Sequence, residues 1–182
     1  FPYTTLFRSE LWLGTLAGLR AVKDLPAMVR AFSGLPEEWQ LVILGDGPER
    51  EAIAAEAMRL SLAHRVHLPG FVADPATASG LFDLFALSSR SEQFPISVVE
   101  AMATGLAIAA PAVGDVAGMV AEANRRFITP PGDEAALGAA MLELAMDQRL
   151  RQTIGAANRE KASLEYDGNA MTEAYRAVYS GA

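Results

Sequence analysis

Short apolar runs alternate with helical patterns along most of the chain. In several runs every residue is apolar, which is typical of strands covered on both faces of a sheet. The predicted strands are Leu11–Leu16, Leu41–Leu44, Arg65–Leu68, Leu84–Ser88, Ala107–Ala110 and Phe127–Thr129.

Helical spacing of apolar residues fills the intervals between these strands. Prolines stand at several predicted helix starts, where a missing N–H is tolerated. The predicted helices are Leu25–Ser33, Pro48–Leu60, Pro75–Leu81, Pro95–Thr104, Val116–Ala121 and Glu134–Met146. Strands that alternate with helices form right-handed βαβ units. The pattern therefore predicts an α/β fold: a doubly wound, parallel, six-stranded, Rossmann-like sheet, followed by a helical tail over 133–182 with breaks near Gly155 and Gly168.

Composition narrows the class of protein. The chain has 182 residues, of which 51% are hydrophobic and 20% charged, with no cysteine and a formal net charge of −7. This apolar content predicts a folded core rather than disorder. The missing cysteines exclude disulfides and thiolate metal sites, and the acidity argues against nucleic acid as a partner. No apolar stretch reaches the length of a membrane span, and no signal-peptide pattern is present. We therefore expect a cytoplasmic location.

Several common functional motifs are absent. The segment from Gly45 to Arg50 begins like a dinucleotide fingerprint, but Arg50 stands where its third glycine belongs. There is no P-loop, no Gly-x-Ser-x-Gly elbow and no Asp-x-Asp pair. The only histidines, His64 and His67, have no further ligands near them in the sequence. No metal site is predicted.

The stretch from Ser91 to Met102 carries the strongest signal of chemistry. It follows a predicted strand, turns, and enters a helix at Pro95. We expect the backbone N–H groups of Ile96, Ser97 and Val98 to be free at this helix start. Such groups bind phosphate, and the carboxyl ends of parallel strands are where open α/β sheets bind ligands.

Two carboxylates flank that helix start. Glu92 lies in the loop, and Glu100 lies eight residues further on, in an apolar part of the helix. In one interpretation Glu100 pairs with a nearby arginine and Glu92 is solvated. In the other, both accept hydrogen bonds from the hydroxyls of a ligand whose phosphate binds the helix.

The loop after the first strand contains Gly18, Arg20 and Lys23. Glycine permits a close backbone approach to a ligand, and Lys23 could meet an anionic group. The alternative is that Arg20 and Lys23 are ordinary surface cations.

Together these stretches resemble the C-terminal, donor-binding domain of family 4 retaining glycosyltransferases with the GT-B architecture. The resemblance runs from about Glu10 to Tyr179. Glu92 and Glu100 match the Glu-x7-Glu signature of that family, Lys23 matches its diphosphate-binding lysine, and Gly70-Phe71-Val72 matches its nucleobase segment.

The resemblance implies a site for a UDP- or GDP-sugar that requires no metal. It assigns Glu92, the catalytic candidate, to the transferred sugar, Glu100 to the ribose hydroxyls, and Lys23 with the helix start to the diphosphate. The remaining residues that it places at the donor are Gly18, Arg20, Phe71, Val72, Gln93, Phe94, Pro95, Ile96, Ser97 and Val99.

The resemblance also sets expectations for the domain organisation. Residues 10–182 are expected to be the donor domain, with the acceptor domain missing and residues 1–9 resembling translated sequencing-adapter sequence. The isolated chain is then expected to be inactive, although its full-length parent, which could associate peripherally with a membrane, would transfer a sugar to an unidentified acceptor with retention. We expect the last helix, Asn169–Tyr179, to be poorly anchored here.

Two residues depart from the family pattern. Gly18 stands where many relatives have arginine, and Gln93 stands where many have glycine. Two other functions stay open: a glycoside hydrolase that uses Glu92 and Glu100 as its carboxyl pair, and a non-catalytic nucleotide-binding or interaction module.

Overall fold

The structure, a computed structural model, describes residues 10–168 together with Thr172, Arg176, Val178 and Tyr179. Its strands form one six-stranded sheet in the order β3-β2-β1-β4-β5-β6, and every pairing is parallel. The strands are β1 (Leu11–Leu16), β2 (Trp39–Leu44), β3 (Val66–Gly70), β4 (Leu84–Ala86), β5 (Ile108–Pro111) and β6 (Ile128–Thr129). The doubly wound parallel sheet predicted from the sequence is confirmed.

Helices follow the strands as the alternation predicts. The α-helices are α1 (Leu25–Phe32), α2 (Arg50–Arg59), α3 (Pro75–Ser79), α4 (Ile96–Ala103), α5 (Val116–Met119), α6 (Glu134–Met146) and α7 (Gln148–Glu165). Two short 3-10 helices cover Ala21–Lys23 and Glu122–Phe127. The helix α2 begins two residues after Pro48, and β2 begins earlier than predicted because Trp39 and Gln40 pair with the start of β1.

Apolar residues fill both faces of the sheet, because successive side chains of a strand point to opposite sides. Leu41 and Ile43 of β2 pack into a core formed with α1, α2 and α6. Val42 and Leu44 join a second core with α3, α4 and α5. The continuous apolar runs in the sequence follow from this double coverage.

The helical tail contains no break at Gly155, so that prediction is wrong. The helix α7 runs without interruption through Gly155, which is buried where α7 crosses the end of α4. A Cβ atom there would overlap the carbonyl of Gly105. Only glycine leaves room for this contact between the two backbones. It is less favourable than alanine inside a helix, but the close contact requires it.

Buried amides join α7 to the sheet near this contact. Asn158 donates from Nδ2 to the Leu106 carbonyl at 2.8 Å and to Asn124 Oδ1 at 2.7 Å. Asn124 in turn exchanges two hydrogen bonds with the backbone of Ile108 in β5. Asn158 of α7 therefore fixes the connection between α4 and β5, and with it the position of α4.

The expectations for residues 1–9 and for Asn169–Tyr179 concern residues that lie mostly outside the described ones. Of the second segment, only Thr172, Arg176, Val178 and Tyr179 are described.

Replacing Gly155 by alanine should lower the free energy of unfolding by about 1–3 kcal/mol, because the added methyl group overpacks the contact with Gly105. The matched control is Gly118→Ala in α5, where a Cβ atom would meet nothing within 4 Å. That substitution should leave stability unchanged or raise it by up to about 1 kcal/mol. Urea unfolding of both variants checks the prediction, and equal effects would contradict it.

Candidate functional site

The loops after β1 and β4 lie side by side at the carboxyl edge of the sheet. These strands are neighbours, with Leu13 opposite Leu84 and Gly14 opposite Phe85. The chain turns from one half of the sheet to the other between them, and such a switch point opens a crevice for ligands. The two sequence stretches that predicted a ligand site therefore meet.

A close ion pair joins the two loops. The Nζ atom of Lys23 donates to Oε1 of Glu92 at 2.6 Å. The same carboxylate oxygen accepts a hydrogen bond from the hydroxyl of Ser89, also at 2.6 Å. Glu92 is thus not a solvated loop residue, and Lys23 is not an isolated surface cation.

Two residues that follow β4 hold the Lys23 loop in place. Ser88 donates from Oγ to the Lys23 carbonyl at 2.8 Å, and the backbone N–H of Arg90 donates to the Val22 carbonyl at 2.8 Å. The guanidinium of Arg90 also pairs with Asp24 at 2.7 Å. Asp24 is the N-cap residue of α1, but its carboxylate binds Arg90 and makes no capping hydrogen bond.

The sequence interpretation missed Ser88, Ser89 and Arg90. Their signal was available: two adjacent serines end the apolar run Leu84–Leu87, at the edge of the sheet where ligands bind. Both serines are buried.

The Glu92 loop is also fixed from the β5 side. The N–H of Asp115 donates to the Gln93 carbonyl at 2.9 Å. The preceding Gly114 has φ +54°, and a Cβ there would overlap the carbonyls of Glu92 and Gln93. Glycine therefore lets the loop approach closely, whereas the Gln93 side chain is exposed.

The start of α4 matches its predicted position, with one correction. Pro95 is the N-cap residue and is buried. Ile96 and Ser97 begin the helix, so their N–H groups have no earlier carbonyl in the helix to bind. The N–H of Val98, expected to be free, donates to the Pro95 carbonyl at 3.0 Å. The helix start therefore offers two N–H groups that have no partner in the described part of the chain, where the sequence predicted three.

Glu100 lies in the second turn of α4 and is half-buried. Its carboxylate has no hydrogen-bond or ion-pair partner among the described residues, so the interpretation that pairs it with an arginine is wrong. Burial alone raises the pKa of this carboxyl above its usual value. An ionised group held there without a partner is destabilising until a ligand provides donors.

Aromatic and apolar side chains border the helix start. Phe94 is 42% exposed and meets Tyr166 edge to face, with the ring centroids 5.6 Å apart. The Ile96 side chain is also exposed, whereas Val99 packs partly against the second core. Of these predicted contact residues, Phe94 and Ile96 are accessible to a ligand.

The predicted nucleobase segment is divided by the structure. Phe71 follows β3 and is 80% exposed. Val72 instead lines a groove of about 620 Å³ on the face of the sheet, together with Trp12, Val42 and Phe82. The predicted pair therefore does not form one surface.

Gly18 and Arg20 lie on the outer part of the β1–α1 loop. Both are exposed, and the Arg20 side chain pairs with no described residue. A Cβ at Gly18 would meet only Arg20 Nε, at 3.9 Å. The loop therefore has room for the arginine that the family pattern led us to expect at position 18.

Within residues 10–168, no three His, Asp or Glu side chains come together as a metal site would need. The two histidines serve other contacts: His67 shares a hydrogen bond of 2.8 Å with Gln40, and exposed His64 lies near Glu37. No helix of the described chain is long and apolar enough to cross a membrane.

The family model described as "Glycosyl transferases group 1" matches residues 8–161. The chain belongs to this family. The family resemblance drawn from the Glu92–Glu100 spacing is confirmed.

The relatives of this group 1 chain carry the names of enzymes that transfer a sugar. The N-acetyl-alpha-D-glucosaminyl L-malate synthase of Bacillus anthracis is 26% identical over 94% of this chain and 45% of its own length. The 2-deoxystreptamine N-acetyl-D-glucosaminyltransferase of Streptomyces fradiae is 32% identical over 80% of this chain and 36% of its own. The chain spans less than half the length of either relative.

A solved structure has the same fold. HepE of Anabaena, in complex with UDP and glucose, superimposes with a TM-score of 0.89 at 24% identity. The match covers 96% of this chain and 49% of HepE. The GT-B assignment of the fold is confirmed.

Glu100→Gln should stabilise the group 1 domain at neutral pH. Because burial raises the pKa of the Glu100 carboxyl, the folded chain binds this proton more tightly than the unfolded chain. The free energy of unfolding therefore falls as the pH rises from the pKa of this carboxyl in the unfolded chain to its higher pKa in the folded chain. The variant should gain up to about 0.5 kcal/mol at pH 7, and the gain should shrink towards about pH 4.5.

Urea unfolding at both pH values measures this difference. The matched control is Glu160→Gln on the exposed side of α7. An equal response of the two variants to pH would contradict an unpaired, desolvated Glu100.

Proposed function

We propose that this domain binds a nucleoside-diphosphate sugar at the carboxyl edge of β1 and β4. The nucleotide is a uridine or guanosine diphosphate, and the sugar is a hexose. In a longer parent protein the bound sugar is transferred to an acceptor with retention of its anomeric configuration.

The observation that carries this proposal is the unpaired Glu100 carboxylate, one and a half turns from the open start of α4. The helix axis rises about 6 Å between Ile96 and Glu100, so a nucleotide with its phosphate at the helix start would extend along α4 towards Glu100. Ribose hydroxyls would donate the hydrogen bonds that Glu100 lacks. The ligand would thereby relieve the desolvation that the free domain bears.

In this proposal, groups of the chain itself stabilise the negative charge of the leaving diphosphate. Lys23 and the N–H groups of Ile96 and Ser97 would stabilise the negative charge that develops as the bond to the sugar breaks. Glu92 would hold the transferred sugar, and the departing phosphate would accept the proton of the acceptor hydroxyl. In this proposal no carboxylate attacks the sugar.

The acceptor is assigned to a part of the parent that this chain does not contain. Support comes from the relatives, which extend well beyond the matched region. HepE, which was solved with UDP and glucose, is likewise about twice as long as the region that it shares with this chain. The isolated domain would then bind donor weakly and catalyse little transfer.

A hydrolase mechanism fits the site less well. A nucleophilic carboxylate must face the bond it attacks, but Glu92 is bound by both Lys23 and Ser89. Hydrolysis also gives no role to the open start of α4.

Calorimetric titration of the chain with UDP, GDP and their hexose derivatives tests the proposal. One nucleotide should bind at millimolar concentrations or below. Lys23→Met and Glu100→Gln should each weaken binding by about tenfold or more, since a hydrogen bond to a charged group contributes about 1.5–3 kcal/mol.

The matched control is Arg59→Gln, which also removes one positive charge. Arg59 ends α2, the helix that returns to the opposite edge of the sheet, so this variant should bind like the wild-type chain. Equal binding by all four chains, or no binding to any nucleotide, would contradict the proposal.

A further inference from the structure

The Lys23 ammonium already holds an anion in the free domain. Its Nζ atom lies 2.6 Å from Glu92 Oε1, and the two side chains are only 24% and 11% exposed. Water and salt screen such a pair less than they screen an open surface pair. Separating the two charges therefore has a free-energy cost.

The function proposed above assigns the same ammonium to a diphosphate. Lysine is a compact point charge, and its attraction for one anion is reduced by a second anion beside it. The Glu92 carboxylate therefore opposes the binding of a phosphate group to Lys23 for as long as it is ionised and close.

We propose that Glu92 and the diphosphate of a nucleotide compete for Lys23. The carboxylate holds the ammonium in the free domain, and a bound diphosphate takes its place. This inference rests on the proposed function, because it takes the diphosphate to bind at Lys23.

The surrounding contacts confine the exchange to one side chain. The hydroxyl of Ser88 donates to the backbone carbonyl of Lys23 and fixes the loop there. The Lys23 side chain can therefore change its rotamer while the loop keeps its position. Ser89, which is buried, retains its 2.6 Å hydrogen bond to Glu92 after the ammonium leaves. Ser89 is therefore a positioning residue for Glu92.

The exchange couples recognition of the two parts of a donor. Once a diphosphate binds Lys23, the Glu92 carboxylate loses one of its two hydrogen bonds and becomes available to a sugar hydroxyl. A free sugar brings no charge to displace the ammonium. It should therefore bind Glu92 poorly in the absence of a nucleotide.

Glu92→Gln is the decisive substitution, because it removes the charge and keeps both the shape and an oxygen for Ser89. Calorimetric titration with UDP should show this variant binding about threefold to tenfold more tightly than the wild-type chain. Loss of a charged side chain from a binding site ordinarily weakens binding, so a gain in affinity is the specific signature of competition. The control Glu122→Gln removes an equal charge from the exposed pair with Arg125 and should bind like the wild-type chain.

The double variant Lys23→Met/Glu92→Gln separates competition from general repulsion. If the two anions compete for the ammonium, Glu92→Gln gives no gain once Lys23 is absent. The same gain in both backgrounds would overturn the inference, because repulsion alone would then account for it. Thermal unfolding of each variant confirms that the compared chains are folded.

The remaining outcomes distinguish this inference from the proposed function. Equal or weaker binding of UDP by Glu92→Gln, with clear binding by the wild-type chain, overturns the competition and leaves the donor site intact. An absence of binding to both UDP and GDP, by either chain, contradicts the proposed function and the inference together.

Discussion

Every strand of the sheet runs in the same direction, so every loop that follows a strand leaves at the same edge. The order β3-β2-β1-β4-β5-β6 adds a reversal between β1 and β4, where two of these loops diverge around a crevice. Lys23 enters this crevice from one loop and Glu92 from the other. Their contact across 69 residues of sequence depends on the pairing of two strands.

Charge at this edge is arranged unevenly. Arg90 and Asp24 form one pair and Lys23 and Glu92 a second, so most of the ionised groups around the loops are compensated. Arg20 and Glu100 have no partner among the described residues, but Arg20 is exposed, whereas Glu100 is partly desolvated. A domain that keeps such a group loses stability in the free state, and a ligand with hydroxyl donors removes that loss.

The sequence predicted the framework of the fold, and it singled out Lys23 and Glu92, which the structure places in contact. Apolar runs covered on both faces identify the parallel strands, and Pro95 marks the start of α4. Contacts between distant elements could not be predicted, because residue spacing along one helix or loop does not show which strand lies beside it. Ser88, Arg90 and Gly114 act across such neighbours. The predicted break at Gly155 was wrong for the same reason. The sequence alone does not show that this glycine contacts the backbone of Gly105 at the end of α4, and a glycine without such a contact is typical of a helix break.

Local chemistry limited the prediction in two further places. The Val98 N–H is bound by the Pro95 carbonyl in the tight first turn of α4, which a count of free helix-start donors does not include. Phe71 and Val72 are adjacent in sequence, but one is exposed and the other lines the groove on the sheet face. A motif match assigns both to one ligand, whereas the structure gives the two side chains different surroundings.

The most direct test is an NMR titration of the isotope-labelled chain with UDP, followed through its backbone amides. A donor site at the start of α4 predicts the largest shifts at Ile96 and Ser97, with smaller changes around Lys23 and Glu100. Shifts gathered instead around the groove of Trp12, Val42 and Phe82, with α4 unchanged, would contradict a donor site at the start of α4.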